Sequence, residues 1–281
     1  MAAKPPAAAK ARKRAVVRNG AAKPALPRAK GSVSANAAPA AGVAGAASVM
    51  LALVKLGSTK SAMLATRYFK AGRGEYDQGD KFLGIKMPAL RQFAKDLGDA
   101  GIDVALPLLK SGWHEARSLA LVLLVRAYEK GDPHSRELIY RQYLRHARFI
   151  NNWDLVDASA PHIVGAWLAD KPRERRSVLT RLAKSASLWE RRIAILATYY
   201  NIRQGDASET LRLARLLLHD KEDLIHKAVG WMLREVGQRV GQDAEEAFLK
   251  QVYRDMPRTM LRYAIERFSE PVRKRYLLGL A

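Results

Sequence analysis

Apolar residues recur every three or four positions from residue 47 onward, in blocks separated by short polar breaks. This spacing predicts amphipathic helices. It is clearest in the segments 49–56, 119–125, 193–196 and 211–217. An alternating apolar and polar pattern of useful length, which would indicate strands, does not occur. We therefore expect an all-α protein.

Glycine and proline mark where the predicted helices end, because both residues interrupt regular helical structure. The predicted breaks are 72–74, 130–133, 171–172, 204–206, Gly237 and 256–257.

A basic residue precedes several of the apolar helical runs at a regular interval. Arg117, Arg192, Lys227 and Arg262 are separated by 75, 35 and 35 residues, and the missing position falls near residue 154. A period of about 35–40 residues with two helices each is typical of HEAT-like repeats. We expect a right-handed α-solenoid of such repeats with a concave face.

Charge divides the chain into two parts. The 281 residues contain 49 Lys and Arg against 27 Asp and Glu, a net charge of +22 that favours an anionic partner. Residues 1–46 hold nine of the basic residues, no acid and five prolines. We predict that this segment is a disordered tail that holds nucleic acid through its phosphates, or else a solubilising extension. Residues 47–281 form the predicted repeat domain.

Several classes of chemistry have no support in the sequence. The chain has no cysteine, which excludes disulfides and thiol nucleophiles. Phosphate-binding loops, dinucleotide motifs and the zinc-protease motif are absent, and the six histidines are dispersed. We predict neither a metal nor a cofactor. No secretory signal or membrane-spanning run is evident, and we expect a soluble, cytoplasmic protein.

Trp153 and Asp157 are four residues apart, so on a helix they share one face and place an aromatic surface beside a carboxylate. In the alternative interpretation Asn152 or Asp154 caps the helix, Trp153 packs in the core, and Asp157 is solvated or pairs with an arginine. Tryptophan also accompanies basic residues in segments 189–192 and 227–234.

Five blocks together resemble the AlkD-type DNA alkylation repair glycosylases. They are residues 79–88, 150–165, 189–196, 225–235 and 256–264. The resemblance covers about 47–281 in the family's order and excludes the basic tail. Because several blocks agree, it is more specific than one short motif.

The resemblance implies a HEAT-like solenoid that excises purines made cationic by alkylation at N3 or N7. Carried over by residue, it implies that Asp157 is the catalytic carboxylate and that Trp153 and Trp231 line the lesion site. It also implies that Arg192 contacts phosphate, with the adjacent Arg191 as the alternative.

The regular basic positions suggest further phosphate contacts. Arg117, Lys227 and Arg262 recur with Arg192 at one repeat position, which predicts a stripe of positive charge on the concave face. Alternatively, each of them is solvated or paired with a nearby acid.

Three functions follow in order of preference. The first is a monofunctional alkylpurine DNA glycosylase that acts as a monomer on duplex DNA. A cationic purine leaves as a neutral base and needs no general acid, so one carboxylate suffices to stabilise the sugar cation and direct water. The second is a noncatalytic nucleic-acid-binding repeat protein. The third is a protein-binding scaffold.

Overall fold

The computed structural model of the protein describes residues 45–76 and 78–281. Within these residues the chain forms helices joined by short turns, and the β-type contacts amount to one bridge between Lys81 and Trp113. The all-α prediction is therefore confirmed. The predicted basic tail lies outside the described residues apart from its last two positions, Gly45 and Ala46.

The helices are short and follow one another closely along the described chain. Those before residue 170 are α1 (Ala46–Lys55), α2 (Thr59–Tyr68), α3 (Met87–Asp96), α4 (Ile102–Leu109), α5 (His114–Lys130), α6 (Pro133–Arg145), α7 (Trp153–Asp157) and α8 (Ala166–Leu168). A 3-10 turn, Ala147–Phe149, precedes α7, and a π-helix, Pro161–Gly165, precedes α8.

The remaining helices continue the pattern. They are α9 (Pro172–Ala183), α10 (Leu188–Ala197), α11 (Tyr199–Ile202), α12 (Ser208–Leu216), α13 (Asp223–Arg239), α14 (Gln242–Val252), α15 (Arg258–Ala264) and α16 (Glu270–Leu278). A 3-10 turn, Ile265–Arg267, follows α15.

One predicted break is wrong. Gly237 lies inside α13 and does not end a helix. A Cβ at this position would overlap the carboxylate of Glu245 on α14. Glycine at this position thus leaves space for the Glu245 carboxylate where it now lies, and a larger residue would require that carboxylate to move.

Helices α5, α7, α10, α13 and α15 form a row in which each contacts the next. Helix α9 packs on α10 and α12, and α14 packs on α13, which places them beside this row. The basic positions of the predicted repeat, together with the missing position near 154, fall one on each helix of the row. Such stacking of equivalent helices is characteristic of helical repeats. The HEAT-like repeats, the hand of the superhelix and its concave face stay predictions.

Two glycines, one at the end of the π-helix and one in α13, allow neighbouring helical segments to approach closely. A Cβ at Gly165 would overlap the backbone oxygen of Ala197 in α10, and a Cβ at Gly230 in α13 would overlap that of Met260 in α15. A buried apolar core runs through the described helices. Helix α7 contacts α10, and α10 contacts α13. Side chains from these three helices line the candidate site.

In the described part of the chain, no single helix has both the length and the apolar character needed to cross a membrane. Helices α1 and α2 meet these criteria only when taken together, and they are bent by 100° relative to each other.

Candidate active site

Helix α7 carries Trp153 at its first position and Asp157 at its last. Asn152 precedes the helix, and its side-chain oxygen accepts a hydrogen bond of 2.7 Å from the backbone N–H of Trp153. Asn152 is therefore the capping residue, whereas Asp154 has other partners. Trp153 and Asp157 both line a cavity of about 540 Å³, which agrees with their predicted position on one face.

Arg192 holds the Asp157 carboxylate in a bidentate ion pair. Its Nε donates to Oδ1 and its Nη2 donates to Oδ2, each over 2.8 Å, and its Nη1 donates to the backbone oxygen of Leu224 over 2.5 Å. The Arg192 residue is only 4% exposed, and 16% of the Asp157 side chain is exposed. This planar pairing fixes the orientation of the carboxylate while one edge stays accessible from the cavity.

The surroundings of Asp157 make it more basic than an ordinary aspartate. Burial raises its pKa, the charge and hydrogen bonds of Arg192 oppose the rise, and the nearby Asp154 carboxylate adds to it. A more basic carboxylate is a better acceptor for a proton from water.

Aromatic rings form much of the cavity wall. Tyr68, at the end of α2, packs edge-on against Trp153 with ring centroids 5.9 Å apart. Trp231 of α13 also lines the cavity, and its ring nitrogen donates to Glu235 over 3.0 Å, which fixes the orientation of the indole. Tyr76 and Tyr263 complete the set.

The cavity also carries charged groups of both signs. Lys70, Lys227 and Arg234 lie at its edge with the acidic Glu222 and Asp223. Lys227 is paired with Asp223 at 2.7 Å, and Arg234 is paired with Glu266. The site thus combines a fixed carboxylate, aromatic walls and basic groups, an arrangement suited to a cationic, planar ligand attached to a phosphate backbone.

A model of the DNA alkylation repair enzyme family matches residues 49–268. The chain belongs to this family. The resemblance read from the sequence is thereby confirmed, and the family description supports an enzyme of DNA repair. The matched segment contains every residue of the cavity wall.

The fold of this family member is similar to that of a solved structure described as a predicted DNA alkylation repair enzyme from Enterococcus faecalis. The TM-score is 0.59 at 16% sequence identity, and the match covers 76% of this chain and 97% of that chain. At this identity the likeness shows the fold alone. A search of curated proteins gives no match.

Two arginines predicted as phosphate contacts lie elsewhere in this repair enzyme. Arg117 is buried, donating to Asp80 over 2.6 Å and to the backbone oxygen of Ser111. Arg191 donates to Asp220 over 2.6 Å, so of the adjacent arginines Arg192 is the one at the cavity. The acids that bind these arginines, Asp80 and Asp220, have buried side chains and lie far from them in the sequence.

The four regular basic positions of the enzyme do not form one exposed stripe. Arg117 and Arg192 are buried in ion pairs, Lys227 is half-buried at the cavity edge, and Arg262 is exposed beside Tyr263. Binding of phosphate by these residues stays a prediction.

The described residues of the enzyme also include site features that the sequence did not predict. Tyr68, Tyr76 and Tyr263 reach the cavity, and His114 contacts Asp154 next to Trp153. Of the three tyrosines, Tyr263 is the one whose position in the sequence indicated a place near the site, since it directly follows the predicted phosphate contact Arg262. Residues 45–76 and 78–281 contain no cluster of three acidic or histidine side chains that could hold a metal ion.

Proposed function

We propose that this protein is a monofunctional DNA glycosylase that hydrolyses the N-glycosidic bond of purines made cationic by alkylation at N3 or N7 in duplex DNA. The observation that carries the proposal is the Asp157 carboxylate, fixed by Arg192 and accessible only at the edge of a cavity lined by Trp153 and Trp231. Membership in the DNA alkylation repair enzyme family agrees with this substrate class.

Because the proposed substrate is already cationic, the protein has to supply few catalytic groups. A purine alkylated at N3 or N7 carries a positive charge, so it departs as a neutral base when the bond to C1′ breaks. No general acid is required. The bonding electrons leave with the base, and positive charge develops on the sugar, where a nearby carboxylate stabilises it.

Asp157 would then direct water to C1′. The oxygen of water forms the new bond, its proton passes to the carboxylate, and the products are an abasic sugar and the free base. Arg192 occupies both carboxylate oxygens from one side, so the remaining lone pairs at the cavity edge are available to the sugar and to water. The raised pKa of Asp157 makes it a more effective base.

The aromatic walls would select for charge on the lesion. A cationic ring beside Trp153 and Trp231 gains about 0.5–2 kcal/mol from each cation–π contact. A neutral lesion gains less from these contacts and also lacks the weakened glycosidic bond. We therefore expect uncharged lesions to be poor substrates.

The basic groups outside the carboxylate pair would hold the DNA. Lys227 and Arg262 of the regular series, and Lys70 at the cavity edge, are the proposed phosphate contacts that retain exposure. Arg192 acts through Asp157 in this proposal, and any phosphate contact it makes is secondary. One chain suffices to bind a duplex, so we propose a monomer acting on cytoplasmic, nucleoid DNA.

The test is release of alkylated bases from methylated duplex DNA by the purified full chain, measured by chromatography. We expect release of N3- and N7-methylpurines, little release of an uncharged lesion from a matched duplex, and no strand cleavage until alkali is added. Tight duplex binding without release would contradict the proposal and support a noncatalytic DNA-binding protein.

A further inference from the structure

His114, the first residue of α5, is buried between two carboxylates from distant parts of the chain. Its Nδ1 lies 2.9 Å from an oxygen of Asp80, and its Nε2 lies 2.9 Å from an oxygen of Asp154. Arg117 donates to the same Asp80 oxygen over 2.6 Å. Ionised carboxylates only accept hydrogen bonds, so both ring nitrogens must donate, and the ring is an imidazolium cation.

The electrostatics of the cluster agree with this geometry. Burial opposes a charge on His114, but the hydrogen bonds and charges of Asp154 and Asp80 outweigh it and raise the pKa of the imidazole to about 9. His114 is therefore positively charged at neutral pH, and it balances the negative charge of Asp154.

Two routes connect His114 to the candidate active site. Asp154 lies on α7 between Trp153 and Asp157. In addition, the imidazole packs against Phe69 at a centroid distance of 4.6 Å, and Phe69 stacks on Trp153 at 5.6 Å. Neither route is used by the chemistry described above.

We propose that His114 is a positioning residue for Asp157: as a cation it neutralises Asp154, fixes α7 between α5 and the loop at Asp80, and so keeps Asp157 ionised for base release. The inference rests on the proposed glycosylase function. It assigns His114 no contact with DNA or water at the reacting carbon.

Asp154 and several other charged or titratable groups lie near Asp157, and all of them except Asp154 act on it independently of His114. They are Arg192 on α10, Tyr143 on α6, Asp154 on α7 itself, Lys227, Asp223 and Arg234 on α13, Glu222 just before α13, and Lys70 and Tyr76 on the loop after α2. A substitution of His114 leaves all of them in place.

Replacing His114 by glutamine removes the charge but leaves a side chain that can hydrogen-bond. The Asp154 carboxylate is then uncompensated three residues before Asp157, and it disfavours ionisation of Asp157. We expect the acidic limb of the pH–rate profile for single-turnover base release to move to higher pH by about half a unit or more. Adding Asp154→Asn to His114→Gln removes the unbalanced charge and should return the limb to its wild-type position.

A purely structural role predicts a different pattern. His114→Gln would then slow base release at every pH without moving the limb, and the second substitution would slow it further. That pattern would overturn the proposal. The matched control is His134→Gln, which changes an exposed histidine on α6 and should leave the profile unchanged.

NMR of the carboxyl and imidazole groups tests the role of His114 without depending on glycosylase activity. In the wild-type protein we expect both His114 nitrogens to be protonated at pH 7.5. The Asp157 carboxyl, assigned with Asp157→Asn, should titrate at higher pH in His114→Gln than in wild type. These readouts decide the inference even if no base is released. A neutral His114 in wild type, or an unmoved Asp157 titration in the variant, would overturn it.

Discussion

Glu245 offers a quantitative test of how α14 packs against α13. It lies on α14 against Gly237 of α13, the residue is 2% exposed, and its Oε1 has no hydrogen-bond partner within the described residues. Burial raises its pKa from 4.5 to about 8, the neighbouring Glu246 adds to the rise, and Arg234 opposes it. The folded protein therefore keeps Glu245 protonated at pH values where the unfolded chain ionises it.

The sign and size of the effect follow from proton linkage. Between pH 4.5 and about pH 8 the folded state binds the proton more tightly, so the free energy of unfolding falls as the pH rises through this window. At about 1.4 kcal/mol per pKa unit, protonation of Glu245 costs about 3 kcal/mol at pH 7. Glu245→Gln is neutral at every pH and avoids this cost.

We expect the stability difference between Glu245→Gln and wild type to grow in favour of the variant by about 3 kcal/mol from pH 4.5 to pH 7. Urea denaturation at several pH values measures it, and other titrating groups cancel in the difference. Asp243→Asn, an exposed acid in the same turn of α14, is the control and should show no such trend. A difference that is constant with pH would refute the reasoning.

Three further predictions follow from the described contacts and the charge pattern. Gly165→Ala should lower the free energy of unfolding by about 1–3 kcal/mol, because the new Cβ overlaps Ala197. The control Gly112→Ala places its Cβ in open space and should change the stability little. Equal thermal melting temperatures for the two variants would contradict this. The stability advantage of wild type over His114→Gln should fall by about 3 kcal/mol between pH 6.5 and pH 9.5 as the imidazolium loses its proton, and a constant advantage in denaturation would argue against the cation. Removing residues 1–46 should weaken duplex binding and reduce its dependence on salt in a titration, and an unchanged salt slope would exclude the tail from DNA binding.

The features that the sequence predicted correctly are those with a local signature. Helical periodicity predicted the all-α fold, and the four-residue spacing of Trp153 and Asp157 predicted their common face. The repeat interval also predicted positions that prove to lie on successive helices of one row. Each of these depends on residues within one helix or on a regular period.

The features that were missed depend on contacts between distant segments. His114 meets Asp80 and Asp154, which lie 34 and 40 residues away, and no motif marks such a triad. Nothing in the sequence around Arg117 distinguishes it from an exposed basic residue, but its side chain is buried in an ion pair with Asp80. In the sequence Gly237 resembles a helix terminator. The Glu245 side chain that occupies the space beside it belongs to another helix, so no local pattern reveals this contact.

The central claim is that Asp157 carries the chemistry, and one comparison tests it most directly. Single-turnover release of N7-methylguanine from duplex DNA is measured for wild type, Asp157→Asn and Asp170→Asn, an exposed acid outside the cavity. Loss of a preorganised charge at the reacting centre predicts a decrease of about 100-fold or more for Asp157→Asn, with duplex affinity and helical content retained. Asp170→Asn should match wild type. Release by Asp157→Asn at the wild-type rate would contradict the account.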